Sequence, residues 1–171
     1  MNKIALFIDG ANMFYAQKEQ GWHIDYKSVL EHFSAGKQRF GAWYFTATPS
    51  AGNREAIEKY RKFRTALINI GYNVVDKEVH VVTDPTTGQT RIKGNLDIEL
   101  VFRMLTTASN WEECIIFGVD IDFIPVIKHL QNLGKIVTSV GRKQMTSLEL
   151  INTVNAFKEL GDLKSLIEKR R

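Results

Sequence analysis

Four aspartates, Asp9, Asp97, Asp120 and Asp122, are the side chains of this 171-residue chain whose type and placement could do chemistry. Asp9 closes the apolar run Ile4-Ala5-Leu6-Phe7-Ile8 and leads into Gly10-Ala11-Asn12. Asp120 and Asp122 follow a second run, Cys114-Ile115-Ile116-Phe117, in Gly118-Val119-Asp120-Ile121-Asp122-Phe123. Asp97 ends Lys93-Gly94-Asn95-Leu96-Asp97 at a predicted helix start. In a doubly wound sheet the site lies at the carboxyl ends of the strands. Acids just past two strands, joined by another from a helix start, could converge on one divalent cation. Mg²⁺ and Mn²⁺ favour such hard oxygen ligands, and they support hydrolysis by activating water and stabilising charge on phosphate oxygens.

Each acid also has a plainer role. Asp9 suits a strand-end turn with Asn12 capping the next helix, and Asp122 suits a cap before Phe123-Ile124-Pro125. A negative charge at Asp97 is favourable in a first helical turn for dipole reasons alone. One cap explains one acid, however, and two neighbouring carboxylates repel unless a cation or basic side chain sits between them. The four histidines, His23, His32, His80 and His129, are scattered, which disfavours a histidine-paired ribonuclease mechanism. Ala11 occupies the place where a haloacid-dehalogenase type of phosphatase needs its second aspartate. A receiver-like signalling domain needs an acidic pair after its first strand, whereas here the pair follows the fourth.

Strands of the buried type are predicted at residues 4–8, 42–46, 73–75, 114–117 and 136–140. Helices are predicted at 12–20, 26–33, 54–70, 96–105 and 123–133, the helix at 96–105 presenting Ile98, Val101, Phe102 and Leu105 on one face. This alternation predicts one α/β domain over 1–171, with a mainly parallel central sheet flanked by helices on both faces. Asp84-Pro85-Thr86-Thr87-Gly88 reads as a turn inside a hairpin at 79–92, whose edge would suit self-association into a homodimer. A final helix is expected at 160–171. The run of apolar residues never approaches the roughly 20 of a membrane helix, and the early first strand leaves no room for a signal peptide, so no membrane and a cytoplasmic address are expected. The single Cys114 sits in an apolar run and reads as core.

The net charge of +4 mildly favours an anionic partner. Lys93, Arg142 and Lys143 are the candidate cations for nucleic acid, and Arg54, Arg61, Lys62 and Arg64 share one helix that reads mainly as a solvated face. Phe14, Tyr15, Trp22 and Trp43 could stack on bases, although most suit core positions.

Phe7-Ile8-Asp9-Gly10-Ala11-Asn12, Lys93-Gly94-x-x-Asp97 and Gly118-x-Asp120-x-Asp122-Phe123-x-Pro125 together resemble the motif series of the NYN domain, in the LabA-like branch of the PIN-like nucleases. The likeness runs on through Ser147-Leu148-x-Leu150 and Val154-Asn155-Ala156-Phe157. The resemblance implies a single PIN-like domain with an acidic pocket and Mg²⁺- or Mn²⁺-dependent cleavage of RNA, with single-stranded RNA as the expected partner, or else a non-catalytic RNA-binding or regulatory module that keeps the pocket. It further implies Asp9, Asp97, Asp120 and Asp122 as the catalytic and metal-binding acids, with Asn12 as polar support and Ser147 near the pocket as a phosphate contact. Val119 and Ile121 stand where the family has small residues, and Asn155 stands where a late aspartate is usual.

Overall fold

Ile4, Leu6 and Ile8 point into one core and Ala5 and Phe7 into another, all of them fully buried. A strand covered on both faces reads as one continuous apolar run rather than an alternating one, which is why this segment was readable as β1 (Lys3–Asp9). The computed structural model describes residues 2–50, 52–78, 80–83, 86, 90–93 and 96–170, with the backbone alone for 80–83 and 90–93.

The chain forms an α/β domain whose main sheet, among the described residues, has six parallel strands. They are β1, β2 (Gln38–Thr48), β3 (Asn73–Glu78), β6 (Glu113–Phe117), β7 (Ile136–Gly141) and β8 (Ala156–Glu159), in the order β3-β2-β1-β6-β7-β8. The chain steps outward from β1 to β3, then returns to the other side of β1 and steps outward again. That reversal opens a crevice beyond the carboxyl ends of β1 and β6.

Helices α1 (Gly10–Gln20), α2 (Tyr26–Ser34) and α3 (Arg54–Ile70) cover the face of Ile4, Leu6 and Ile8. Helices α4 (Asp97–Thr107), α5 (Ile124–Asn132) and α6 (Leu148–Thr153) cover the face of Ala5 and Phe7. The strands expected from apolar runs are all present and are one to six residues longer than their apolar cores. Strand β8 and helix α6 were not expected, because Ala156-Phe157-Lys158-Glu159 lacks an apolar run and α6 has six residues. A short, polar strand is what a sheet edge requires.

The hairpin consists of β4 (His80–Thr83) and β5 (Thr90–Lys93), an antiparallel pair separate from the main sheet. The expected turn residues Asp84, Pro85, Thr87 and Gly88, and the arm ends Val79 and Gln89, lie outside the described residues. The tail forms a 3₁₀ turn (Leu160–Leu163) and α7 (Lys164–Ile167). Glu168 then pairs with Ile24 in an isolated bridge, so helix stops short of the expected 171.

Of the apolar face expected on helix α4, Val101 packs against the core, whereas Ile98, Phe102 and Leu105 are exposed. Leu100 and Met104 face the core, while Ile98 (78% exposed) and Phe102 (63%) face outward. The helix carries two apolar stripes, and helical periodicity cannot choose between them.

The join between β1 and α1 depends on Gly10. A Cβ there would lie 2.6 Å from the Phe45 carbonyl oxygen and 2.6 Å from a ring carbon of Tyr44. Gly10→Ala is therefore expected to lower stability by about 1–3 kcal/mol, read as a lower urea midpoint with an unchanged slope.

Candidate active site

Side chains alternate along a strand, so Asp9 follows Ala5 and Phe7 toward the face that carries α4. It is also the N-cap of α1: its Oδ1 accepts the Asn12 backbone N–H at 3.0 Å. Capping and site-forming roles are thus compatible, because the cap fixes the carboxylate over the crevice. Asn12 supports Asp9 through this backbone donor, and Asp9, not Asn12, is the capping residue.

The loop after β6 is pinned from β7. Gly118 donates its N–H to the Val140 carbonyl at 3.2 Å, and the buried Ser139 hydroxyl donates to the Gly118 carbonyl at 2.8 Å. Gly118 also lies beside β1, since a Cβ on it would stand 3.6 Å from the Asp9 Cβ. Asp120 follows, with its Oδ1 accepting the Asp122 N–H at 2.9 Å. The cap of this turn is therefore Asp120, whereas its position before Phe123 had pointed to Asp122. Asp97 begins α4, whose N-cap Leu96 makes no side-chain cap.

Asp9, Asp97 and Asp120 line one cleft of about 300 Å³, together with Asn12, Tyr15 and Met145. Asp122 is exposed and borders a different hollow, beside Ile98, Phe102 and Phe123. Roomier hollows exist, such as one of about 680 Å³ between residues 21–23 and 168–170. Size does not select the site; the convergence of acids does.

Burial raises the Asp9 pKa to about 6, and the charges of Asp97 and Asp120 push the same way. The Asn12 and Ala11 N–H groups oppose the rise. Asp9 also acts on its neighbour: burial, with the Asp9 charge assisting, raises the Tyr44 phenol to about 12 against the opposing effect of its hydrogen bond with Tyr26. Among the described residues, no three His, Cys, Asp or Glu side chains stand in range of one ion. The carboxylates share a cleft and a field without closing on a point.

The other expected site residues have separate placements. Ser147 caps α6, its hydroxyl accepting the Leu150 N–H at 3.1 Å, and it is not among the residues lining the cleft. Arg142, with its side chain 16% exposed, pairs with Glu19 at 3.4 Å and with Glu159 at 3.6 Å. It serves as a brace between α1 and β8 rather than as an unengaged cation. Lys143 is exposed and donates its backbone N–H to Glu159 at 2.6 Å. Lys93 ends β5 opposite His80, and its side chain lies outside the described residues. On α3, Arg64 pairs with Asp76 and Lys62 with Glu58, in keeping with a solvated face. Trp22 and Trp43 are buried, whereas Phe14 and Tyr15 are exposed.

Two of the departures from the family pattern acquire a physical account. Val119 is buried over Gly141, where an added Cβ would come within 2.0 Å of its Cγ1. Its bulk is thus taken up by a glycine across the sheet. Asn155 accepts the Val137 N–H at 2.9 Å and a Gln131 amide N–H at 3.1 Å. Both partners lie toward the amino end of β7, so Asn155 belongs to the edge opposite the acids. Phe45, Thr46, Ala47 and Met145 line the cleft without having been singled out in the sequence. Strand register accounts for the first of them: Asp9 sits opposite Phe45.

Comparison with known proteins agrees with this architecture. The family model described as the NYN domain matches residues 3–161. The "Low amplitude and bright protein LabA" of Synechococcus elongatus is 33% identical over 171 residues, covering 98% of this chain and 89% of that protein. A crystal structure of a protein of unknown function from Vibrio parahaemolyticus superposes with a TM-score of 0.77 at 21% identity, covering 97% of this chain and 96% of that one. The last likeness concerns the fold alone.

The raised Asp9 pKa has a consequence for stability. Folding holds the Asp9 proton more tightly than the unfolded chain does, so stability falls as pH rises from about 4 through about 6. Asp9→Asn keeps an acceptor for the Asn12 N–H and removes the buried charge. It should stabilise the metal-free protein by about 1–3 kcal/mol near neutral pH, with the gain vanishing below about pH 4. Thermal unfolding of both proteins in chelator across that pH range checks it; a constant difference would place the origin outside Asp9 ionisation.

Proposed function

Because the chain belongs to the NYN domain family, we propose that it is a metal-dependent ribonuclease that hydrolyses single-stranded RNA at the cleft of Asp9, Asp97 and Asp120. The observation that carries this reading is the convergence of three carboxylates, from three separate elements, on one cleft at the switch point of the sheet. Structural capping alone would explain Asp9 and Asp120 singly but not their shared, repulsive placement beside Asp97.

The donor set fits Mg²⁺ or Mn²⁺. These ions are commonly held by one or two carboxylates, several waters and the substrate phosphate rather than by a closed protein cage. Carboxylates that share a cleft without three reaching one point suit that mode. When bound, the ion would lower the pKa of a water and offset charge on the phosphate oxygens.

The protein's own groups have distinct tasks. The N–H of Asn12 holds Asp9 in place, and that of Asp122 holds Asp120, so both carboxylates are oriented before substrate arrives. The N-terminus of α4 places positive dipole character under Asp97. An empty cleft repels RNA, and occupation by a cation reverses the local field. Lys143 and Lys93 remain candidates for phosphate contact. Arg142 acts on the site by holding the adjacent loop, and Asp122 by its backbone N–H more than by its carboxylate.

A second reading is an RNA-binding module without turnover. The observation favouring it is the lack of three acids in range of one ion among the described residues.

Incubation of labelled single-stranded RNA with and without Mn²⁺ separates the two. Cleavage should require the metal, and Asp120→Asn should slow it on the order of a hundredfold or more. Asp122→Asn should retain most activity, and Asn155→Asp should leave the rate unchanged, because its side chain lies at the far edge of the sheet. Equal cleavage by the parent and Asp120→Asn would assign the activity to a contaminant. Binding without cleavage would favour the module.

A further inference from the structure

The geometry points to a nucleobase slot beside the acids, walled by Tyr15 and Met145, that takes the unpaired base next to the phosphate held at Asp9, Asp97 and Asp120. This inference rests on the nucleic-acid reading above and specifies how the substrate is selected.

Tyr15 is 59% exposed and Phe14 61% exposed, on a helix that buries Met13 and Ala16 against the core. Packing therefore gives no reason for two adjacent aromatic rings at this place. Their centroids lie 5.5 Å apart at 79°, an edge-to-face pair that restrains the Tyr15 ring. Tyr15 lines the acid cleft, and so do Met145, Phe45 and Leu96. The cleft thus has an anionic part and an apolar, aromatic part. A nucleotide has the matching division, with a phosphate that can meet a cation at the acids and a flat base for the ring and the thioether.

The two walls are tied together. Tyr15 and Glu19 are four residues apart on α1 and so share a helix face. Glu19 pairs with Arg142 at 3.4 Å. The Arg142 carbonyl in turn accepts the Met145 N–H at 2.9 Å and the Thr146 hydroxyl at 2.6 Å, holding the 3₁₀ turn Lys143–Met145. The ion pair therefore joins the helix carrying Tyr15 to the turn carrying Met145. Arg142 is a positioning residue for this slot.

At about 300 Å³ the cleft is at the small end of ligand-binding cavities. It suits one nucleotide. A base within a duplex is stacked and paired on its own neighbours, so only an unpaired base can lie on Tyr15. Stacking accepts every base through its π-face, and the slot selects strandedness rather than sequence.

The test uses a short single-stranded RNA bearing one 2-aminopurine, phosphorothioate-linked to slow hydrolysis, with the full chain in magnesium. Binding should quench the 2-aminopurine emission. Tyr15→Ala should weaken binding on the order of tenfold and abolish the quench, while Tyr15→Phe should preserve both. The same base in a full duplex, already dimmed by its stacked neighbours, should show no further change when the protein is added. An unaltered quench and affinity in Tyr15→Ala, or an equal protein-induced change of emission in the duplex, would overturn the slot. Binding of the single strand by the parent without any quench removes the slot and leaves the nucleic-acid reading standing. Failure of the parent to bind either form removes that reading and the slot with it.

Discussion

The partial burial of the Asp9 carboxylate at the end of the central strand is the constraint around which the rest of the molecule is arranged. Its pKa of about 6 reports an unfavourable charge, set by desolvation and by Asp97 and Asp120. A folded chain keeps such a group only if surrounding structure over-determines it. Here β1 is paired on both sides and buried on both faces. Each large aliphatic side chain buried along it contributes about 1.5–3 kcal/mol, enough in sum to hold a strained charge at its end. Gly10 then lets the start of α1 lie against Phe45 and Tyr44 of β2, and Gly118 brings the loop after β6 beside the Asp9 Cβ.

The same strand divides the core in two, and the crevice opens where that division meets solvent. Acids reach it from β1, from the start of α4 and from the loop after β6. Each of these elements supplies one carboxylate to the cleft. Asp120 and Asp122 show this within a single turn: once the 3₁₀ turn begins at Ile121, Asp120 faces the cleft and Asp122 the outer hollow. Convergence is thus a property of topology, with each local segment contributing a cap that is ordinary in isolation.

This explains what could be read in advance. Buried parallel strands leave long apolar runs, so β1, β2, β3, β6 and β7, and with them the strand-end acids, were readable from residue type alone. The exposed stripe of α4 was not, because Leu96, Leu100 and Met104 compete with Ile98, Phe102 and Leu105 for the core. Strand β8 carries too little apolar residue to announce itself. Arg142 looked like a cation for phosphate because its loop follows β7 on the acid side. Its partner Glu19 is 123 residues away, a separation no local pattern reveals. Asn155 looked like a lost site charge, yet its bonds to Val137 and Gln131 place it at the opposite end of the sheet.

The engagement of Arg142 changes how the cleft can be thought to hold a polyanion. With that guanidinium paired to Glu19 and Glu159, it offers little unneutralised charge to phosphate. The cleft itself is lined by carboxylates, so the chain's net +4 is not expressed there. Fixed positive charge, the usual source of non-specific nucleic-acid affinity, is consequently weak at the point where the proposed chemistry occurs. On the proposed reading, attraction inside the cleft comes from a cation held by the acids and from the ring of Tyr15, which act together only on a strand in one orientation. A site built in this way discriminates by geometry: a strand that cannot present a phosphate and an unstacked base together meets a carboxylate cluster that repels it.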